Sequence, residues 1–186
     1  LLRGINQLPH ASQVYVAVVS DHGMAIVDAE RQIVLPEVVN LSGIRAIQTG
    51  PAMSLYLTGD EARGPILRDQ FNAQVQDARA YLRDEIPSNL HLRSSLRTGD
   101  IVIVPKEGVL VSIRHDPSPP VGMHGWDPRL LSMHGIFLMR GPNVASGQRI
   151  EAFENVHIYP LLTAILGLKQ NPDIDGQLGI LGHLIR

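Results

Sequence analysis

The sequence predicts an α/β fold, and three observations carry that prediction. Val14-Tyr15-Val16-Ala17-Val18-Val19 is a continuous apolar, β-branched run, the pattern of a strand covered on both faces of a sheet. From Glu61 to about Ile86, apolar residues Ile66, Leu67, Phe71, Val75, Ala78 and Leu82 recur at helical spacing. Further apolar strand-length runs then alternate with a second helical stretch toward the C-terminus.

Taken in order, the first strand spans 14–19 and ends at Ser20-Asp21-His22-Gly23, polar residues at the mouth of a buried strand. Open α/β sheets bind ligands at the carboxyl ends of their strands. Residues 31–49 hold only short apolar stretches, whereas 52–58 alternate and read as a strand. The amphipathic helix over 61–86 is closed by Pro87. Strands are then expected at 90–96, 100–104 and 109–113, with Pro105-Lys106-Glu107-Gly108 turning the last two. Residues 44–115 thus read as a compact α+β module. Pro117, Pro119 and Pro120 stiffen the approach to His124, and Ile136-Phe137-Leu138-Met139 is another core strand. A helix is expected over 155–167, with Asn155 as N-cap and Gly167 as stop, although Pro160 moves its true start later.

Bulk composition narrows the function classes. Apolar residues are 44% and charged residues 18%, which is globular rather than disordered. A net charge of −2 without any Lys/Arg-rich run argues against a nucleic-acid-binding patch. No apolar stretch reaches the ~20 residues of a membrane span. Cysteine is absent, which excludes disulfides and thiolate metal sites. There is no phosphate-binding glycine loop, dinucleotide fingerprint or nucleophile elbow.

The chemistry concentrates in two short signatures, Ser20-Asp21-His22-Gly23-Met24 and Gly122-Met123-His124-Gly125-Trp126-Asp127. Carboxylate oxygen and imidazole nitrogen from Asp21, His22 and His124 form a zinc-type donor set. An Asx turn is the commoner use of an isolated Asp-His pair, but Gly23 allows a close approach here. Gly122 and Gly125 leave room around His124. Asp127 reads as the cap of the next turn rather than as an acceptor for a histidine N–H. His134 reads as a satisfied core or surface histidine, His157 as facing the helix surface, and His115-Asp116 as loop.

Val18-Val19-Ser20-Asp21-His22-Gly23-Met24 resembles a hallmark of the nucleotide pyrophosphatase/phosphodiesterase family of the alkaline phosphatase superfamily. Gly122 to Asp127, Phe137, Gly141-Pro142, Phe153-Glu154-Asn155-Val156-His157-Ile158-Tyr159, Leu161 to Leu168 and Asp175-Gly176 follow that family's order. The resemblance implies part of an alkaline-phosphatase-like sheet sandwiched by helices. Residues 1–43 and 116–186 would be the C-terminal part of the catalytic core, and 44–115 an inserted α+β subdomain. It implies two zinc ions, with Asp21 and His22 ligating one and His124 the other. It further implies cleavage of phosphodiester or pyrophosphate bonds, of nucleotides above all, through a covalent Thr intermediate.

The family's Thr nucleophile and its other metal ligands have no counterpart in residues 1–13. The segment is therefore expected to contain no catalytic nucleophile, to hold incomplete zinc shells, and to need the N-terminal half of the catalytic domain as partner. Alone it is expected to be inactive. By resemblance the location is periplasmic, secreted or membrane-anchored facing outward. Two alternatives remain open at this point: a phosphonate or phosphomonoester hydrolase of the same superfamily, and a non-catalytic binding module.

Overall fold

The computed structural model describes residues 1–60, 62–93 and 97–185. In chain order the described elements begin with α1 (Leu2–Ile5), β1 (Val16–Val19), β2 (Ala25–Ile26), β3 (Gln32–Val34), α2 (Leu35–Val38), β4 (Ile44–Thr49) and β5 (Ala52–Leu57). They continue with α3 (Arg63–Gln74), β6 (Ala78–Leu82), β7 (Ile101–Pro105), β8 (Leu110–Ser112) and β9 (Gly122–Met123). β10 (Phe137–Arg140), α4 (Ile158–Leu166) and α5 (Leu178–Leu181) complete them. The expected mixed α/β class is the observed one. The chain divides into two compact units, Leu1–Asp21 with Ile136–Arg186, and His22–Gly135.

In the first unit, β1 pairs antiparallel with β10, from Val16 opposite Arg140 to Val19 opposite Phe137. Phe137 and Met139 lean on a core of Leu161, Leu181 and Leu184. Phe153 meets Phe137 edge-on at 5.3 Å, a favoured aromatic geometry. α4 starts at Ile158, which puts Pro160 in its first turn, where a missing N–H costs nothing. It ends at Gly167, whose left-handed conformation lets Leu168 N–H reach the Thr163 carbonyl at 2.9 Å.

The first unit corrects two expectations. The run 14–19 is not covered on both faces by parallel neighbours: its partner is antiparallel, and Val18 and Val19 are each 43% exposed. A continuous apolar run reports only what a strand could bury, not what lies beside it. Asn155 is not the N-cap of α4, a position taken by His157 after a short 3₁₀ turn over Asn155–His157. His157 is also no idle surface group, since its Nδ1 accepts a hydrogen bond from Gln177 N–H at 3.0 Å.

The second unit is built on an antiparallel sheet in the order β4-β5-β7-β6. Leu55 lies opposite Ile101 and Met53 opposite Ile103. α3 covers one face, so Leu67 and Phe71 are buried with Leu35, Met53, Leu55, Ala80, Ile101 and Ile103. Asn72 staples helix to sheet: its Oδ1 accepts from Ala80 N–H at 2.8 Å and its Nδ2 donates to the Ala80 carbonyl at 2.9 Å.

Here the expected helix over 61–86 shortens to α3, Arg63–Gln74; Glu61 lies outside the described residues. Residues 78–82 form β6 instead, because Ala78, Ala80 and Leu82 also alternate at period two and β7 supplies a full ladder. In the expected strand at 90–96, Leu90 ends a 3₁₀ turn, 91–93 are coil and turn, and 94–96 lie outside the described residues. The strand expected at 100–104 is β7. The one expected at 109–113 is β8, but it does not hairpin with β7; it pairs in parallel with β3, Ile33 opposite Val111.

That parallel ladder, and the antiparallel pairing of β2 with β9, tie residues 25–34 and 122–123 into the same unit as the module. The expected 44–115 module therefore lies inside a larger unit, His22–Gly135, rather than standing apart from 22–43 and 116–135. A smaller second core of Ala25, Val27, Leu110, Trp126 and Met133 fills the space under those ladders.

Candidate functional site

The segment after β1 is held residue by residue. Ser20 N–H donates to the Ile136 carbonyl at 3.1 Å, and Ser20 Oγ accepts from Ile136 N–H at 2.8 Å. The Asp21 carbonyl accepts from Asn155 Nδ2 at 3.3 Å, which gives Asn155 a use the sequence did not suggest. Asp21 closes the first unit and His22 opens the second, joined by one peptide bond. Gly23 N–H then donates to the Met133 carbonyl at 2.9 Å. A Cβ at Gly23 would sit 2.1 Å from the Ser132 carbonyl oxygen, so only glycine fits that approach.

The second signature is brought to the first by the β2–β9 ladder, in which Ala25 faces Met123 and Ile26 faces Gly122. The pairing is antiparallel, so the residues before Ala25 and those after Met123 leave the ladder at the same end. His22 and His124 meet there. Their imidazoles stack with centroids 3.5 Å apart and planes 12° from parallel. His22 Nδ1 lies 2.6 Å from the Gly23 carbonyl oxygen. That contact favours the tautomer with the proton on Nδ1.

The rest of the second signature is structural. Gly125 has φ +107°, a conformation that side chains rarely adopt, and it packs on Pro51. Trp126 is buried at 4% exposure, and its indole N–H donates to the Val109 carbonyl at 3.0 Å. A buried indole commonly finds such an acceptor, which was the available sequence signal for its role. Asp127 makes the expected turn, accepting from Arg129 N–H at 3.0 Å and from the Arg129 guanidinium at 2.6 Å, with Asn89 Nδ2 at 3.2 Å. The Arg129 hydrogen bond holds the Asp127 carboxyl below its ordinary range. His115 and Asp116 lie in loop, with Asp116 Oδ1 accepting from Ser118 N–H. His134 is exposed.

Of the expected metal ligands, the structure thus brings His22 and His124 together and sets Asp21 beside His22 in the chain. Among the described residues, no three His, Cys, Asp or Glu converge in a geometry that could hold a metal ion. The donor chemistry nevertheless fits zinc.

Residues 1–127 match the family model described as type I phosphodiesterase / nucleotide pyrophosphatase. The chain is 30% identical over 158 residues to bis(5'-adenosyl)-triphosphatase enpp4 of Mus musculus, covering 85% of this chain and 34% of that protein. It is 26% identical over 195 residues to venom phosphodiesterase 2 of Crotalus adamanteus, covering 100% of this chain and 24% of that protein. Among solved structures, murine ectonucleotide pyrophosphatase/phosphodiesterase 5, as an inactive variant in complex with AMP, superposes with a TM-score of 0.84. The identity is 26%, over 98% of this chain and 49% of that one. The human counterpart gives 0.82 at 25% identity, with the same coverage. The chain thus spans about a third or less of the curated relatives and about half of the solved structures it matches.

Proposed function

Because this chain belongs to the type I phosphodiesterase / nucleotide pyrophosphatase family and has its alkaline-phosphatase-like fold, we propose that it is the C-terminal part of a two-zinc hydrolase of nucleotide phosphodiester or pyrophosphate bonds. The observation that carries this reading is the His22–His124 stack, 3.5 Å between centroids, formed by the two signature segments. Asp21 and His22 would hold one zinc ion and His124 the other, with the remaining ligands and a Thr nucleophile contributed from outside this sequence. When bound, such a pair of ions offsets the charge on the attacking and leaving oxygens of an in-line displacement.

The chain's own residues have separable tasks. His22, whose Nδ1 is engaged with the Gly23 carbonyl, would bind through its imidazole. The Asp21 carboxylate, next to it in the chain, would supply an anionic donor. His124 presents its ring in parallel, so the two imidazoles serve neighbouring positions without competing for one. Nucleotide substrates are supported by the AMP complex of the murine relative. A location outside the cytoplasm is supported by the ectonucleotidase and venom enzymes among the relatives. No helix among the described residues is long and apolar enough to cross a membrane.

The test joins this sequence to the N-terminal half of its catalytic domain and measures zinc content and hydrolysis of a chromogenic phosphodiester. His22→Ala and His124→Ala should each bring zinc below two ions per chain and lower turnover at least about 100-fold. Unaltered zinc content in both variants would sink the reading.

A further inference from the structure

His124 follows a strand of two residues, Gly122–Met123, precedes a glycine, and is itself exposed. Nothing in that local chain would hold an imidazole in one orientation. What fixes it lies just beyond. Trp126 is buried with Ala25, Val27, Leu110 and Met133, and its indole N–H reaches the Val109 carbonyl at 3.0 Å. Val109 leads into β8, where Val111 N–H donates to the Pro51 carbonyl at 3.0 Å. Pro51 in turn supports Gly125: its Cδ lies 3.1 Å from where a Gly125 Cβ would stand. At the neighbouring Gly50, a Cβ would come within 3.1 Å of the His124 carbonyl oxygen. The contacts form a closed circuit within the second unit: Trp126 to Val109, along β8 to Val111, across to Pro51, and back to Gly125.

We propose that Trp126 is the positioning residue of the His22–His124 pair, locking the His124 loop onto β8 and the β4–β5 turn through its indole N–H. The module around β4–β7 is then the support of a ligand rather than an appendage. The consequence for metal binding rests on the reading of His124 as a zinc ligand; the positioning of the ring does not.

The experiment uses this chain. Trp126→Phe keeps a buried aromatic ring and removes the donor, while Val27→Ala removes volume from the same cluster and touches neither loop. In the metal-free protein, the cross-relaxation between the His22 and His124 ring protons should be lost in Trp126→Phe and kept in Val27→Ala. On titration with zinc, the His124 ring nitrogen shifts should show affinity about tenfold weaker in Trp126→Phe and unchanged in Val27→Ala. Should Phe at this position unfold the chain, benzothienylalanine keeps the bicyclic shape, lacks the N–H, and makes the same comparison. A ring–ring signal that survives loss of the N–H overturns the proposal. His124→Ala separates the two readings: zinc shifts at His22 unaffected by it would count against the metal assignment, while the metal-free ring contact still decides the role of Trp126.

Discussion

Ala25 faces Met123 across the β2–β9 ladder, and this single register brings His22 and His124 into a stack. A shift of one residue would turn the alternating side chains to the opposite face. A two-residue ladder cannot hold register unaided. It is held by the buried cluster under it and by the close approach at Gly23.

Gly23→Ala should therefore be costly. The new methyl would meet the main-chain oxygen of Ser132, which cannot swing aside as a side chain could. A loss of about 2–3 kcal/mol is expected, together with displacement of His22. Denaturant unfolding gives the first and the His22 ring resonances the second. A variant as stable as the parent would show that the strand end yields.

Asn72→Ala tests the staple between α3 and β6. Both amide atoms serve the Ala80 main chain in a half-buried setting, so two main-chain groups lose their partner. The expected cost is about 1–3 kcal/mol. Hydrogen exchange should locate it at the Ala80 amide, with the ladder of the first unit unaffected.

Asp127 carries a pH dependence. Its carboxyl is held below the ordinary value by Arg129, so its contribution is present above the unfolded value of ~3.9 and disappears as pH falls through the lower folded one. Arg129 is largely exposed, which limits the contribution to about 1 kcal/mol at most. Asp127→Asn should thus differ from the parent in urea midpoint at pH 7, and the difference should shrink as pH falls below the ordinary carboxylate range. A difference that grows on acidification would contradict the assignment.

The chain by itself should show no phosphodiesterase turnover, since its proposed ligands complete neither metal shell and it contains no assigned nucleophile. Zinc binding should be weak, and weaker as pH falls, because imidazoles ligate only when neutral. Turnover with added zinc that is abolished by Asp21→Ala would refute this.

The approach of His22 to His124 was legible because each lies in a short polar, glycine-bearing signature. The apolar run to Val19, followed by Ser20-Asp21-His22-Gly23, marks a strand end bearing donors, and the glycines around His124 mark a loop. What failed depended on partners distant in sequence. Ala78 and Leu82 satisfy a helical and an extended period equally, and β7 decided between them. Val109–Ile113 looks like the return strand of a hairpin, yet β8 chose β3 in parallel. Asn155 and Trp126 could not be assigned because their acceptors are main-chain carbonyls, which carry no signature in the residue type.

The burial of Trp126 has an optical consequence. It is the only tryptophan in the chain, so intrinsic fluorescence excited at the indole band originates at one point, in the second unit. An emission-monitored melt follows the loop between Met123 and Asp127 and is blind to α4. Far-ultraviolet dichroism weights the helices of both units. Coincident transitions would mean that the two units unfold together, and separated ones that each melts on its own.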